Sequence, residues 1–331
     1  VIRAIVTGGA GFIGSHLVKE LLQHEAKVLV VDDLSTGKEE NLKAIRAELG
    51  SEVAKNLEFT KIDIASAACA EEIKRFKPEF FFHLAAQMNV RLSVSEPVFD
   101  ATSNVVGTVN LLHTAAQVGA KGFIFASTGG AIYGEQENFP APESHRILPE
   151  CPYGVSKRCG EIYLEYFARA HNLSTIALRF GNVYGPRQNP KGEAGVVAIF
   201  CEKILRGEAL KINGTGRQTR DFVYVSDVVA ANLKTLALIQ RSTTPLHQII
   251  NIGTGLENNV LDIVEGLKAA WEEISREIQG SKVFSEITFG PALAGEQMRS
   301  FIEVKKAKEL LGWSSQVNLQ QGLSETLKSF S

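Results

Sequence analysis

A glycine-rich turn, Thr7-Gly8-Gly9-Ala10-Gly11-Phe12-Ile13-Gly14, joins the apolar run Ala4-Ile5-Val6 to a helical stretch from Ser15 to Leu22. A second apolar run, Lys27 to Val31, then ends in Asp32. Each part has a mechanical role. One glycine makes the tight turn, Gly11 lets backbone approach a pyrophosphate, and Gly14 lets helix pack on strand. The helix start offers unpaired N–H groups and a partial positive charge to phosphate. Asp32 would accept hydrogen bonds from the adenosine ribose, and its charge repels a 2′-phosphate. The arrangement therefore predicts an NAD-binding unit.

The pattern repeats along the first half. Leu57–Ile62 reads as a third strand ending at Asp63, Ala70–Phe76 as a helix, and Glu79–Leu84 as a fourth, apolar strand. A long helix over Val98–Val118 would carry Val105, Val109, Leu112 and Ala116 on one face. Lys121–Ala126 is a fifth strand running into Ser127-Thr128, Tyr153–His171 a helix, and Thr175–Phe180 a sixth strand. Continuous apolar strands separated by helices make a parallel sheet covered on both faces. With right-handed crossovers, that is an α/β doubly wound, Rossmann-type fold. Residues 1–180 form its nucleotide lobe; residues 181–331 read as a smaller α/β substrate lobe, with the chain free to cross between them. The ligand belongs outside the carboxyl ends of the strands.

Composition narrows the partners. A net charge of −2 leaves no electrostatic footprint for nucleic acid. No stretch is long and apolar enough to span a bilayer, and with Val1 leading directly into the first strand no signal peptide is expected in this sequence. Cys69, Cys151, Cys159 and Cys201 lack the spacing of a zinc site and read as free thiols in a reducing, cytoplasmic compartment. His83, His113, His171 and His247 read as structural, Trp271 and Trp313 as core, and no metal is expected.

Tyr153-Gly154-Val155-Ser156-Lys157 places a phenol and an ammonium on one helix face. Tyrosine titrates near pH 10, too high for a good base at neutral pH, and a neighbouring cation favours the phenolate. Ser127 and Thr128, at a strand end, can complete a hydrogen-bonding trio around a substrate hydroxyl. Tyr153 is then the proton acceptor while hydride leaves the same carbon for NAD⁺.

These motifs together resemble the extended short-chain dehydrogenases/reductases, and most closely the UDP-galactose 4-epimerase branch. The likeness runs through Asp32 with Leu34–Gly37, Asp63-Ile64, His83–Gln87, Asn104–Thr108, Ser127-Thr128, Tyr133-Gly134, Tyr153/Lys157, Arg179–Arg187, Gln218–Val225 and Asn251–Gly255. It implies that Gly8, Gly11, Phe12, Ile13, Gly14 and the loop Asp32, Asp33, Leu34, Ser35, Thr36, Gly37 hold the adenosine half of NAD, with Asp63 and Ile64 flanking the adenine. Leu84, Ala85, Ala86, Gln87, Asn104 and Gly181 would serve the rest of the cofactor. Tyr153, Lys157 and Thr128 would be catalytic. The loop after Thr128 is one residue longer than usual, so Ser127 stands as the alternative hydroxyl. Asn182 would touch the sugar diphosphate, Gly195 and Val196 the nucleotide, Leu210, Lys211 and Ile212 the uracil, and Arg220 a phosphate. The resemblance also implies a homodimer built on the Val98–Val118 and Tyr153–His171 helices.

One stretch departs from the family. Where an Arg-Pro-Gly-Asp segment clamps the diphosphate, this chain has Leu293-Ala294-Gly295-Glu296, and leucine cannot replace a bidentate guanidinium. Arg299 and Arg187 are the candidate replacements. Ser300 is small, which predicts room for N-acetylated sugars. The leading expectation is reversible 4-epimerisation of a UDP-hexose through a 4-keto sugar. Its rivals are a nucleotide-sugar 4,6-dehydratase, a net oxidoreductase, and a non-catalytic NAD-binding regulator. Gly129-Gly130 after Thr128 offers no side chains for the dehydratase's elimination.

Overall fold

The structure is a computed structural model and describes residues 1–191, 195–277, 283–292 and 297–331. Six strands follow the predicted order: β1 (Arg3–Thr7), β2 (Lys27–Asp32), β3 (Leu57–Lys61), β4 (Phe80–His83), β5 (Gly122–Thr128) and β6 (Ser174–Phe180). They are parallel and lie in the order β3-β2-β1-β4-β5-β6, with a seventh strand, His247–Ile252, beside β6. The order in which strands are added reverses between β1 and β4, the switch point where such sheets bind ligands. The fold is the Rossmann-type α/β architecture.

Helices cover both faces. On one side lie α1 (Phe12–Gln23) and α2 (Glu39–Ala54), with the helix Val225–Arg241 beside α1. Leu17, Val18, Leu21, Val28, Val30 and Phe82 form the core there. On the other side α3 (Ala67–Phe76), α6 (Gly107–Gln117) and α7 (Pro152–His171) bury Ile73, Leu111, Leu112, Ala115 and Leu164 against Phe81, Phe123 and Phe125. Each such leucine, isoleucine, valine or phenylalanine contributes about 1.5–3 kcal/mol when fully buried.

The single helix expected over Val98–Val118 is instead composite. After α4 (Val90–Ser95) come α5 (Pro97–Ala101), a π-helical turn at Thr102–Val106, and then α6. A π turn inserts one residue, which swings the following side chains by about 100° around the axis. The fully buried stripe of α6 is accordingly Leu111, Leu112 and Ala115, while Val109 and Ala116 are only partly buried.

Beyond β6 the chain passes repeatedly between two bodies. Asn182–Tyr184 pairs in parallel with Phe222–Tyr224. α8 (Val196–Arg206), the helices Val260–Glu277 and Leu319–Phe330, and the strands Leu210–Asn213 and Ile287–Gly290 build the smaller core around Phe200, Ile212, Leu267 and Leu323. Between those pieces, α9 (Val225–Arg241) and the strand His247–Ile252 return to the large sheet. Trp313 also packs into the large-lobe core. Among the described residues no helix is long and apolar enough to cross a membrane.

Candidate active site

The loops after β1, β2, β4 and β5 meet at the carboxyl edge of the sheet. The first is shaped by absent side chains. Gly8 has φ +71°, and a Cβ there would lie 2.7 Å from the Ala85 nitrogen; a Cβ on Gly14 would overlap the Gly8 carbonyl oxygen. Gly11 N–H donates to that same carbonyl at 3.1 Å. The turn thus brings backbone to the start of α1 with nothing projecting over it, as a pyrophosphate requires.

Asp32 is buried at the end of β2. Its Oδ2 accepts from Ala10 N–H and its Oδ1 from Leu34 N–H, both at 2.9 Å. Burial raises the carboxyl's pKa, and those two backbone donors oppose the rise. Leu34, at φ +62°, turns the loop back, and a Cβ on Gly37 would come within 2.7 Å of Asp32 Oδ1. Asp33 Oδ1 is held by the Ser35 amide and hydroxyl, and Thr36 is exposed. Asp63 caps its own turn by accepting from Ala65 N–H at 2.9 Å, and Ile64 is buried against Gly107. These residues fit the adenosine half of a dinucleotide.

His83 ties the loop after β4 together. Thr108 Oγ1 donates to the Asn104 carbonyl at 2.6 Å, so it accepts from His83 Nε2–H at 2.9 Å. His83 Nδ1 then accepts from the Thr7 hydroxyl at 2.8 Å, and Thr7 Oγ1 accepts from Ala85 N–H at 3.3 Å. Burial holds this imidazole well below its ordinary pKa, so it stays neutral. Next to it, Asn104 clamps Gln87: Gln87 N–H donates to Asn104 Oδ1, and Asn104 Nδ2 donates to the Gln87 carbonyl, each at 2.8 Å. Leu84, Ala85 and Ala86 lie between these ties, all partly buried.

Pro152 starts α7, which suits a residue without an N–H. Tyr153 and Lys157 follow one turn apart. Lys157 is 3% exposed. Its Nζ donates to the Ala126 carbonyl at 2.8 Å and lies 4.7 Å from the Phe125 ring centroid and 5.8 Å from that of Tyr153. Burial lowers its pKa to about 8, against the pull of Asp100 and Glu161. The ammonium is thus caged beside the phenol.

Ser127 and Thr128 part company at the end of β5. The Ser127 hydroxyl donates to Glu161 Oε1 at 2.7 Å, within a buried ion pair where Arg179 Nε and Nη2 reach the two Glu161 oxygens at 2.8 and 2.7 Å. Thr128 Oγ1 accepts from Ala131 N–H at 3.2 Å. A Cβ on Gly130 would sit 3.6 Å from Asn182 Oδ1 and 3.9 Å from Thr128 Oγ1, so both polar atoms flank that glycine.

On the smaller body, Gly181 donates to the Ile252 carbonyl at 2.9 Å, and Asn182 N–H to the Asp221 carbonyl at 2.7 Å. Gly195 is the N-cap of α8, with Val196 its first residue. The side chains of Leu210 and Ile212 are core, and Lys211 is exposed between them. Arg220 is half-buried and donates to the Thr219 carbonyl at 2.7 Å. Arg299 makes a bidentate pair with Glu257, at 2.7 and 2.8 Å, and stacks over Phe139. Arg187 is partly buried and reaches Ser15 Oγ at 3.3 Å. Ser300 is buried and accepts from Gln136 Nε2 at 3.4 Å. Leu293–Glu296 lie outside the described residues.

Asp100 and Glu161, the two buried carboxylates that act on Lys157, escaped the sequence reading. An acid within an apolar helical run was the available signal. Among the described residues no group of three or more His, Cys, Asp or Glu could hold a metal.

Comparison with known proteins agrees with this geometry. The sequence profile of the NAD dependent epimerase/dehydratase family matches residues 4–253. A UDP-glucose 4-epimerase of Mycolicibacterium smegmatis is 40% identical, over 99% of this chain and 98% of that protein. The crystal structure of a Thermotoga maritima UDP-glucose 4-epimerase with UDP-glucose superposes with a TM-score of 0.87 at 43% identity, covering 99% of this chain and 98% of that one. The Thermus thermophilus UDP-glucose 4-epimerase complexed with NAD gives 0.85 at 38% identity, with 99% of both chains covered. The chain belongs to the NAD dependent epimerase/dehydratase family.

Proposed function

We propose that this chain is an NAD-dependent isomerase that interconverts C4 epimers of a UDP-hexose through a 4-keto sugar. The observation that carries the proposal is the caged Lys157 ammonium beside Tyr153, at the same sheet edge as the Gly8–Gly14 turn. NAD, when bound by that turn and Asp32, supplies the hydride acceptor and donor. Tyr153 takes the proton from the sugar's 4-hydroxyl and returns it after the keto sugar has turned over. Lys157 makes the phenolate less costly by its charge. Thr128 is the hydroxyl assigned to the substrate, because that of Ser127 is committed to Glu161.

In this reading Asn182 touches the sugar diphosphate, Gly195 and Val196 at the start of α8 the nucleotide, and Arg220 a phosphate. Since the side chains of Leu210 and Ile212 are core, their strand offers uracil its backbone. In this reading residues 1–180 supply the cofactor lobe and 181–331 the substrate lobe, less the segments that return to the sheet.

The purified protein, incubated with UDP-glucose or UDP-galactose and no added NAD, is expected to give an equilibrium mixture of both. Absence of interconversion from either side refutes the proposal. The N-acetyl counterparts are expected to turn over as well, because Ser300 is small; inert N-acetyl sugars beside active hexoses would rule out that part.

We also propose a cytoplasmic homodimer. Val98, Phe99 and Val106 on the composite helix and Ile162, Tyr163 and Tyr166 on α7 are 40–79% exposed. The two helices pack side by side, so they present a broad apolar face. Light scattering at micromolar concentration should give twice the chain mass, and a monomer would refute the assembly.

A further inference from the structure

The deepest uninterpreted group near the site is Asp100, a carboxylate with no solvent exposure in a helix of five residues. An isolated buried carboxylate is costly unless donors and a counter-charge surround it. Here three donors converge. Gln87 Nε2 and Asn104 Nδ2 reach Oδ1 at 2.9 and 3.0 Å, and the Ser156 hydroxyl reaches Oδ2 at 2.6 Å. The donors come from the loop after β4, the π turn and α7, three segments that meet at this carboxylate. Asp100 on α5 and Asn104 in the π turn are both buried, and such turns gather at functional sites. Ser156 is the residue before Lys157.

We propose that Asp100 is a positioning residue of the redox centre. Its carboxylate fixes Gln87 and Asn104 on the cofactor side and Ser156 on the acid–base side, and it supplies the buried negative charge facing the Lys157 ammonium. The inference rests on the functional reading above. Other titratable groups that face Lys157 are Glu161 and Tyr153 on α7 and His83 at the end of β4, which is neutral. Glu161 is already paired with Arg179. That leaves Asp100 as the carboxylate whose charge has no cation bound to it among the hydrogen bonds described. Its charge opposes the lowering that burial imposes on Lys157, ahead of that of Glu161.

The test is Asp100→Asn in the full chain with its NAD. An amide must set its NH2 against the donor or donors at one of the two oxygen positions, so the junction loosens while the volume is kept. The kcat for UDP-sugar interconversion is expected to fall 10- to 100-fold, roughly what displacement of a positioned group costs, with KM unchanged. The titration of Lys157, followed through its Nζ resonance without substrate, is expected to move down by about one pH unit. A wild-type kcat overturns the proposal. So does a lowered kcat with an unmoved Lys157 titration, since a purely structural residue would behave that way. If Asp100→Asn does not fold, Ser156→Ala decides, because it removes one donor and leaves the charge. A lowered kcat at constant KM then supports the junction, and an unchanged kcat overturns it. Should the wild type turn over no UDP-sugar, the functional reading fails by itself, and the Lys157 titration still decides the role of Asp100.

Discussion

With phenylalanine at position 153, interconversion of UDP-sugars falls by about 10³-fold, in the middle of the range for loss of a general acid–base, while the purified protein keeps its NAD. The substitution removes one oxygen from a partly buried ring in the first turn of α7. It leaves untouched the glycine turn, Asp32 and the His83–Asn104 ties. Cofactor content, read from absorbance after denaturation, therefore separates loss of chemistry from loss of binding. KM for the sugar should stay close to that of the wild type. A variant that retains turnover within tenfold would show that the proton leaves by another route. A regulator without chemistry predicts no effect at all.

The second large effect is on stability. Replacing Arg179 with methionine is expected to cost about 3–5 kcal/mol, the range for stripping one partner from a buried ion pair. Arg179 and Glu161 have side chains 1% and 0% exposed and are joined by two hydrogen bonds. The guanidinium also donates to Tyr133 Oη at 2.9 Å, and that hydroxyl donates to Asn251 Oδ1 at 2.7 Å. Methionine would fill much of the volume but leave the buried Glu161 carboxylate with the Ser127 hydroxyl and the partly exposed Arg158 as its hydrogen-bonding partners. Denaturant melts of the single variant and of Arg179→Met with Glu161→Leu should differ. The double variant is expected to recover most of the loss, because both charges are gone. A single variant as stable as the wild type would mean that the pair contributes nothing to the fold.

Much of this was legible in advance, and the reasons are specific. β1, β2, β4 and β5 are covered on both faces, so each reads as an unbroken apolar run flanked by helix and glycine. His247–Ile252 was not read as part of the sheet. It is an edge strand, and its Asn251 is spent on the Glu143, Ala141 and Glu303 segments, which breaks the run with polar residues. The composite helix was read as one because periodicity over 20 residues tolerates a single inserted residue. The motif residues Tyr153 and Lys157 carry their spacing in the sequence. Asp100 and the Glu161–Arg179 pair do not, because their partners come from segments far apart in the chain. The division between Ser127 and Thr128 likewise needs the pleat of β5, which sends adjacent hydroxyls to opposite sides.

The weaving of the chain between its two bodies limits how they can move. A two-domain protein joined by one linker can swing open like a jaw. Here rotation of the smaller body would have to bend every crossing segment together, including the bridge between Ala141 and Ile302 and the docking of Trp313 onto α9. The mouth of the cleft is therefore a standing doorway, its width set by the weave of the chain and not by a single hinge.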